Sequence, residues 1–157
     1  MDKVRAEILN FDSPLITAAR IVIAAPAQKI FDLIADPRCH PLFDGSGTLQ
    51  GSISGPLRLH LGAKFGMAMK IKVPYRITNT VVAFEEGRKV SWSHLMKWTW
   101  SYELKDLENG RTEVTETFNA QDIPWLAAKW LNATGSLERN PKWMAKSLVQ
   151  LKALCES

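Results

Sequence analysis

Trp98–Ala120 reads WTWSYELKDLENGRTEVTETFNA, and the way this stretch pairs with itself decides the fold. Two alternating runs flank Glu108-Asn109-Gly110. A two-residue Asn109-Gly110 loop would set Leu104 opposite Thr115, with Trp100 and Tyr102 beside Thr117 and Asn119. A three-residue loop, with Gly110 left-handed in a bulge, sets Leu104 opposite Val114, Tyr102 opposite Glu116 and Trp100 opposite Phe118. A one-residue slip carries a strand's whole apolar set to the other face, so burial selects the bulged register. Trp98, Trp100, Tyr102, Leu104, Val114, Glu116 and Phe118 then share one face of an antiparallel hairpin.

Working outward, period-two patterning runs from Thr48 to Ala120. It predicts six strands, near 48–55, 63–72, 76–84, 89–94, 98–106 and 112–120. Parity adds Val82, Phe84, Val90, Trp92 and His94 to the inward face. Phe65, Met67, Met69 and Ile71 alternate on another strand, opposite Lys64, Lys70 and Lys72. Leu57, Leu59 and Leu61 have the parity opposite to His60, which places His60 outside. Upstream, Leu15–Ile23 is β-branched and apolar and reads as a strand. Pro26 opens a helix whose Ala27, Ile30, Phe31 and Ile34 line one face, and Asp36-Pro37 ends it. A short turn or helix covers Arg38–Phe43. Downstream, Asp122 and Pro124 open a short amphipathic segment carrying Trp125, Leu126, Trp130 and Leu131. Asn140-Pro141 then reads as the start of a C-terminal helix, with Met144, Leu148, Leu151 and Cys155 as its apolar stripe. The expected architecture is α+β: a curved antiparallel sheet of about seven strands wrapped around a long C-terminal helix, with one or two short helices after the first strand, in one domain over residues 1–157.

Composition narrows the function classes. The chain has 157 residues, 46% hydrophobic and 23% charged, values that favour one folded unit over disorder or a coiled coil. The longest apolar run, Ile21–Pro26, falls far short of a membrane span, so stable membrane insertion is not expected. Met1–Asn10 carries no apolar signal core, and Cys39 and Cys155 form no disulfide framework, which makes the cytoplasm the simplest location. The net charge of +4 permits anionic partners. Nucleic acid is not expected among them, because the aromatics have the inward parity. Three histidines and two cysteines are dispersed, so no metal site is expected. Gly45-Ser46-Gly47 lacks the third glycine and the helix of a dinucleotide loop, and no cofactor is expected. A homodimer through a sheet edge or outer face is compatible with the pattern, which does not select one.

Ile21-Val22-Ile23-Ala24-Ala25-Pro26 runs into Ile30-Phe31-Asp32-Leu33-Ile34, followed by Asp36-Pro37, Asp44-Gly45-Ser46-Gly47, Val90-Ser91-Trp92 and Trp100-Ser101-Tyr102-Glu103-Leu104. In these pieces and their order, over roughly Leu15–Leu154, the chain resembles the START-like, birch-pollen-allergen-like superfamily (SRPBCC). Its nearest likeness is to the polyketide cyclase/dehydrase and lipid-transport branch. The resemblance implies a helix-grip fold with an apolar cavity between sheet and C-terminal helix. It implies no single chemistry, since the superfamily holds carriers, sensors, cyclases and hydroxylase-associated domains.

Within that frame, Met67, Met69, Trp92, Trp100, Tyr102, Phe118 and Leu148 are the expected ligand-binding residues, with rings and thioethers forming an adaptable apolar wall. His94, Glu116 and Asp44 are the candidate acid/base groups. Glu116 lies between Val114 and Phe118 on the inward face, where desolvation raises a carboxyl pKa. Three readings follow. The first is a carrier or sensor of a small hydrophobic or aromatic molecule. The second is a cyclase, dehydratase or isomerase using Glu116, His94 or Asp44. The third is a protein-interaction module whose cavity has collapsed into core.

Overall fold

The computed structural model of the chain describes residues 3–93 and 96–157, apart from the side chain of Ile53. His94, one of the candidate acid/base residues, lies outside the described residues. Among the described residues, eight strands form one antiparallel sheet: β1 Glu7–Leu9, β2 Ile16–Ile23, β3 Leu49–Ser54, β4 Lys64–Ile71, β5 Val73–Glu85, β6 Lys89–Ser93, β7 Thr99–Asp106 and β8 Thr112–Asn119. The spatial order is β1-β2-β8-β7-β6-β5-β4-β3. β1 is an addition to the expected seven. It spans three residues, too few for alternation to show in sequence. After β2 the chain crosses to the far edge through α1 (Ala27–Ala35), a 3-10 turn at Pro37–Cys39 and α2 (His40–Phe43). The meander β3 to β8 then returns to pair with β2. α3 (Trp125–Ala133) and α4 (Ser136–Glu156) follow, and α4 packs along β2.

The final hairpin adopts the bulged register: Leu104 faces Val114, Tyr102 faces Glu116 and Trp100 faces Phe118. Gly110 takes a left-handed φ of 68°, and Asn109 does too at 62°, a residue type that tolerates that region. β8 alternates strictly, burying Thr112, Val114, Glu116 and Phe118.

Three expectations are corrected. On β5 the ladder shifts between Val81 and Ala83, so Val82 is the extra residue of a bulge. Val81 is 1% exposed and Val82 48% exposed, the reverse of the uninterrupted parity, whereas Phe84 turns inward against Phe31. Leu57 and Leu61 are exposed and only Leu59 is buried, because the chain there is a loop without alternation. His60 is exposed as its parity indicated. Finally, α4 begins at Ser136 and not at Asn140, after Gly135 in a left-handed conformation. Pro141 therefore sits inside the helix and offers no N–H to the carbonyl of Leu137. Asn140 is buried in the helix and does not cap it.

The core joins α1, α4 and the concave sheet face. Ile30, Phe31 and Ile34 of α1 meet Ile23, Val90, Leu104 and Val114 from the sheet and Leu148, Leu151 and Cys155 from α4. Above α1, Arg58 bridges Asp32 and Glu86 and lies 5.7 Å from the Phe31 ring centroid. These basic and acidic groups are exposed at the rim, where such pairs contribute little to stability.

Candidate functional site

The core does not fill the whole concavity. Between the sheet and the α2, α3 and α4 helices lies a cavity of about 1050 Å³. Its sheet wall is built by period two: Phe65, Met67 and Met69 from β4, Trp92 from β6, Trp100 and Tyr102 from β7, and Glu116 and Phe118 from β8. Among the expected ligand-binding residues, Leu148 is the exception. It is fully buried in the core, and its neighbour Ser147 lines the cavity instead.

Aromatic rings form the cavity floor. Trp92 stacks on His40 with centroids 5.2 Å apart and lies 5.8 Å from Tyr102. Phe43 and Phe65 meet this group edge-on, against Tyr102 and Trp92 respectively. Rigid rings in tilted and edge contacts enclose space that branched aliphatics would have filled. The opening is marked by lining residues that solvent reaches, among them Ile71, Tyr75, Leu126 and Trp130. Trp130 stacks on Trp98 with an interplanar angle of 2°, fastening α3 over the sheet.

Glu116 is a buried carboxyl group in the wall. It is 5% exposed and accepts a hydrogen bond from the Tyr102 hydroxyl, while its Oε2 has no partner. Burial pushes its pKa up to about 8, opposed by the Tyr102 hydrogen bond and aided by the nearby Asp44 charge. The carboxyl group is therefore largely protonated at neutral pH and can donate from the oxygen that Tyr102 does not occupy. Burial, with the negative potential of Glu116, holds the Tyr102 phenol well above its usual range, so it stays protonated.

Asp44 lines the same cavity, but its oxygens are engaged. Oδ1 accepts from the Ser46 backbone N–H at 3.1 Å and hydroxyl at 2.7 Å, and Oδ2 accepts from the Leu49 N–H at 3.0 Å. This is the local turn that Asp-Gly-Ser-Gly favours. Gly45 lets that turn reach α4: a Cβ there would lie 2.4 Å from the Trp143 carbonyl oxygen, and its N–H donates to Ser147 Oγ at 2.7 Å.

Three lining groups were not among the expected site residues. His40 is buried, and its Nε2 donates to the Ile34 carbonyl at 2.7 Å, which fixes the tautomer because a carbonyl only accepts. Burial lowers its pKa and keeps the ring neutral. Asn79 is a buried amide on β5. The third group is a stripe on α4: Ser136, Asn140, Arg139, Trp143 and Ser147, related by steps of four. That spacing is present in the sequence, and the expected helix start at Asn140 left Ser136 and Arg139 outside it.

Among the described residues, no group of three or more His, Cys, Asp or Glu side chains is placed to hold a metal ion. No helix among them is long and apolar enough to cross a membrane.

No family model matches the chain. Solved structures do. A protein from Arthrobacter aurescens superimposes with a TM-score of 0.72 at 14% identity, over 96% of this chain and 91% of that one. Protein Ms6760 from Mycobacterium smegmatis gives 0.69 at 16% identity, over 96% and 97%. The polyketide-cyclase-like protein Cgl2372 from Corynebacterium glutamicum gives 0.61 at 19% identity, over 90% and 91%. The chain shares its fold with these three proteins. In sequence, the chain is 37% identical over 134 residues to the uncharacterized protein Rv0088 of Mycobacterium tuberculosis. The match takes in 83% of this chain and spans 60% of the length of that relative.

Proposed function

We propose that the protein binds a small hydrophobic or aromatic molecule, of lipid or polyketide type, in its internal cavity, as a carrier or sensor. The observation that supports this best is the unfilled space of about 1050 Å³ in a wall of rings and methionines, at the upper end of ligand-site volumes. Apolar surface facing such a space gains by excluding water against a ligand, at roughly 25 cal/mol per Å² buried. The test is tryptophan emission during titration with hydrophobic probes, since Trp92 and Trp100 stand in the wall. A shift or quench that Trp92→Phe or Trp100→Phe reduces is the expected outcome, and an unchanged spectrum with lipid, polyketide and terpenoid probes defeats the proposal. The reading as an interaction module with a collapsed cavity loses its premise in the same open space.

One observation favours a second reading, as a cyclase, dehydratase or isomerase. Glu116 is a neutral, buried carboxylic acid with one free oxygen, the form suited to protonating a ligand oxygen at neutral pH. Tyr102 would orient it, whereas Asp44 is committed to its turn. Glu116→Gln keeps the shape and removes the transferable proton. Turnover lost with binding retained supports the enzyme, and turnover retained eliminates Glu116 as its acid.

A further inference from the structure

The two ends of the cavity differ in charge. At the floor, the carboxyl groups of Glu116 and Asp44 face the space with neutral His40 and Tyr102, and no cation of the described lining accompanies them. Near the opening stand Lys72 and Arg139. Arg139 forms no ion pair among the described residues, as Arg5, Arg76 and Arg111 form none, but unlike them it lines the cavity. Its guanidinium lies over Trp143, with Cζ 5.0 Å from the ring centroid, and Nη2 donates to Ser136 Oγ at 3.2 Å. Ser136 Oγ is in turn 2.9 Å from Thr134 Oγ1. The Nε atom is buried and has no acceptor.

A buried guanidinium N–H without an acceptor is costly, and one planar anion satisfies it best, by bidentate hydrogen bonding through Nε and a terminal nitrogen. The ring of Trp143 beneath holds the fork in place, so an anion meets it with little reorganisation. The opposite end offers an anion no cation of the described lining, and the Asp44 charge there opposes one.

Building on the proposed binding function, we infer that the ligand is an amphipathic carboxylic acid, bound with its carboxylate on Arg139 near the opening and its apolar chain running along the methionine and tryptophan wall toward the Tyr102–Glu116 floor. The direction of entry follows from the same charges: an inverted ligand would place its carboxylate beside Asp44, with no cation of the described lining to meet it, and leave Arg139 unmatched.

cis-Parinaric acid and its methyl ester test this, because the polyene accepts energy from tryptophan and the two probes differ only in the charged group. The wild-type protein is expected to bind the acid at least tenfold more tightly than the ester. Arg139→Met is expected to weaken the acid at least tenfold while leaving the ester within about twofold. Arg139→Lys, which keeps the charge and loses the fork, should restore part of the preference, and its thermal melt controls for folding. Equal affinity of acid and ester in the wild type, or a parallel loss of both in Arg139→Met, overturns the carboxylate assignment and leaves the apolar-binding proposal standing. Failure of both probes to bind the wild type overturns the two together.

Discussion

Each central strand has two ends of different character. Val90, Leu104 and Val114 on β6, β7 and β8 meet α1 and the last turns of α4, and there the interior is solid. A few residues further along the same strands come Trp92, then Trp100 and Tyr102, then Glu116 and Phe118, and there the interior is hollow. α4 repeats the contrast. Its C-terminal half buries Leu148, Leu151 and Cys155, and its N-terminal half turns Arg139, Asn140 and Trp143 to the cavity. Branched aliphatic side chains interdigitate to crystal-like density, whereas large planar rings held apart by polar neighbours do not. The solid end supplies stability so that the hollow end can keep unfilled space and unmatched hydrogen-bonding groups.

The largest expected effect tests that division directly. Phe31→Ala at the solid end removes a fully buried ring that packs edge-on against Phe84 at 5.5 Å, and should cost about 3–5 kcal/mol. Trp100→Ala at the hollow end removes a half-buried ring that faces the cavity, and should cost less than half as much. Chemical denaturation of the two variants measures both. Equal losses would break the contrast.

Next comes the pH dependence of Glu116. Its pKa of about 8 in the folded chain exceeds the ordinary 4.5, so the native state holds a proton that the unfolded state releases between these values. Stability from this group is complete below about pH 4.5 and falls as pH rises through 8, by up to about 5 kcal/mol. His40 acts in the opposite sense. Burial lowers its pKa below 6.5, so its neutral form supports folding above that value and the support is lost as pH falls further. Glu116→Gln should therefore flatten the decline between pH 5 and 8 and raise stability above the wild type at pH 8.5, by about 1–3 kcal/mol once the buried amide's own cost is included. Denaturation midpoints across pH 5–9 supply the check, and an unaltered slope would mean that Glu116 titrates as an exposed acid.

How much of this could be read from residue order depends on whether neighbouring side chains differ. Leu104, Tyr102 and Trp100 alternate with polar residues, and Asn109-Gly110 supplies the turn, so the hairpin register and the position of Glu116 opposite Tyr102 were legible. The turn at Asp44 was legible as well, because aspartate before glycine and serine closes such turns through its own oxygens. The start of α4 was not. Asn140-Pro141 carries a strong helix-start signature, which leaves Arg139 outside the expected helix. Leu148 was expected at the cavity as part of an apolar stripe that packs into the core instead. His40 stayed hidden for another reason. Its role depends on α2 folding back over Trp92 and Phe65, contacts between positions far apart in the chain.

The bulge in β5 marks the boundary between the two ends, and it carries the smallest predicted effect. Before it, Ile77 and Asn79 line the cavity, and after it Phe84 packs on Phe31 in the solid core. An extra residue at Val82 bends the strand and changes which parity faces inward, so one strand serves both regions. Because Val81 and Val82 are the same residue type, alternation alone cannot tell which of them is buried. Substitution can. Val82→Thr, on an exposed site, should change stability by no more than about 0.5 kcal/mol. Val81→Thr puts a hydroxyl of the same shape into a fully enclosed site and should cost about 1–3 kcal/mol. The reverse ranking in thermal denaturation would return β5 to unbroken alternation, and the hollow and solid ends would then have to meet somewhere else on the sheet.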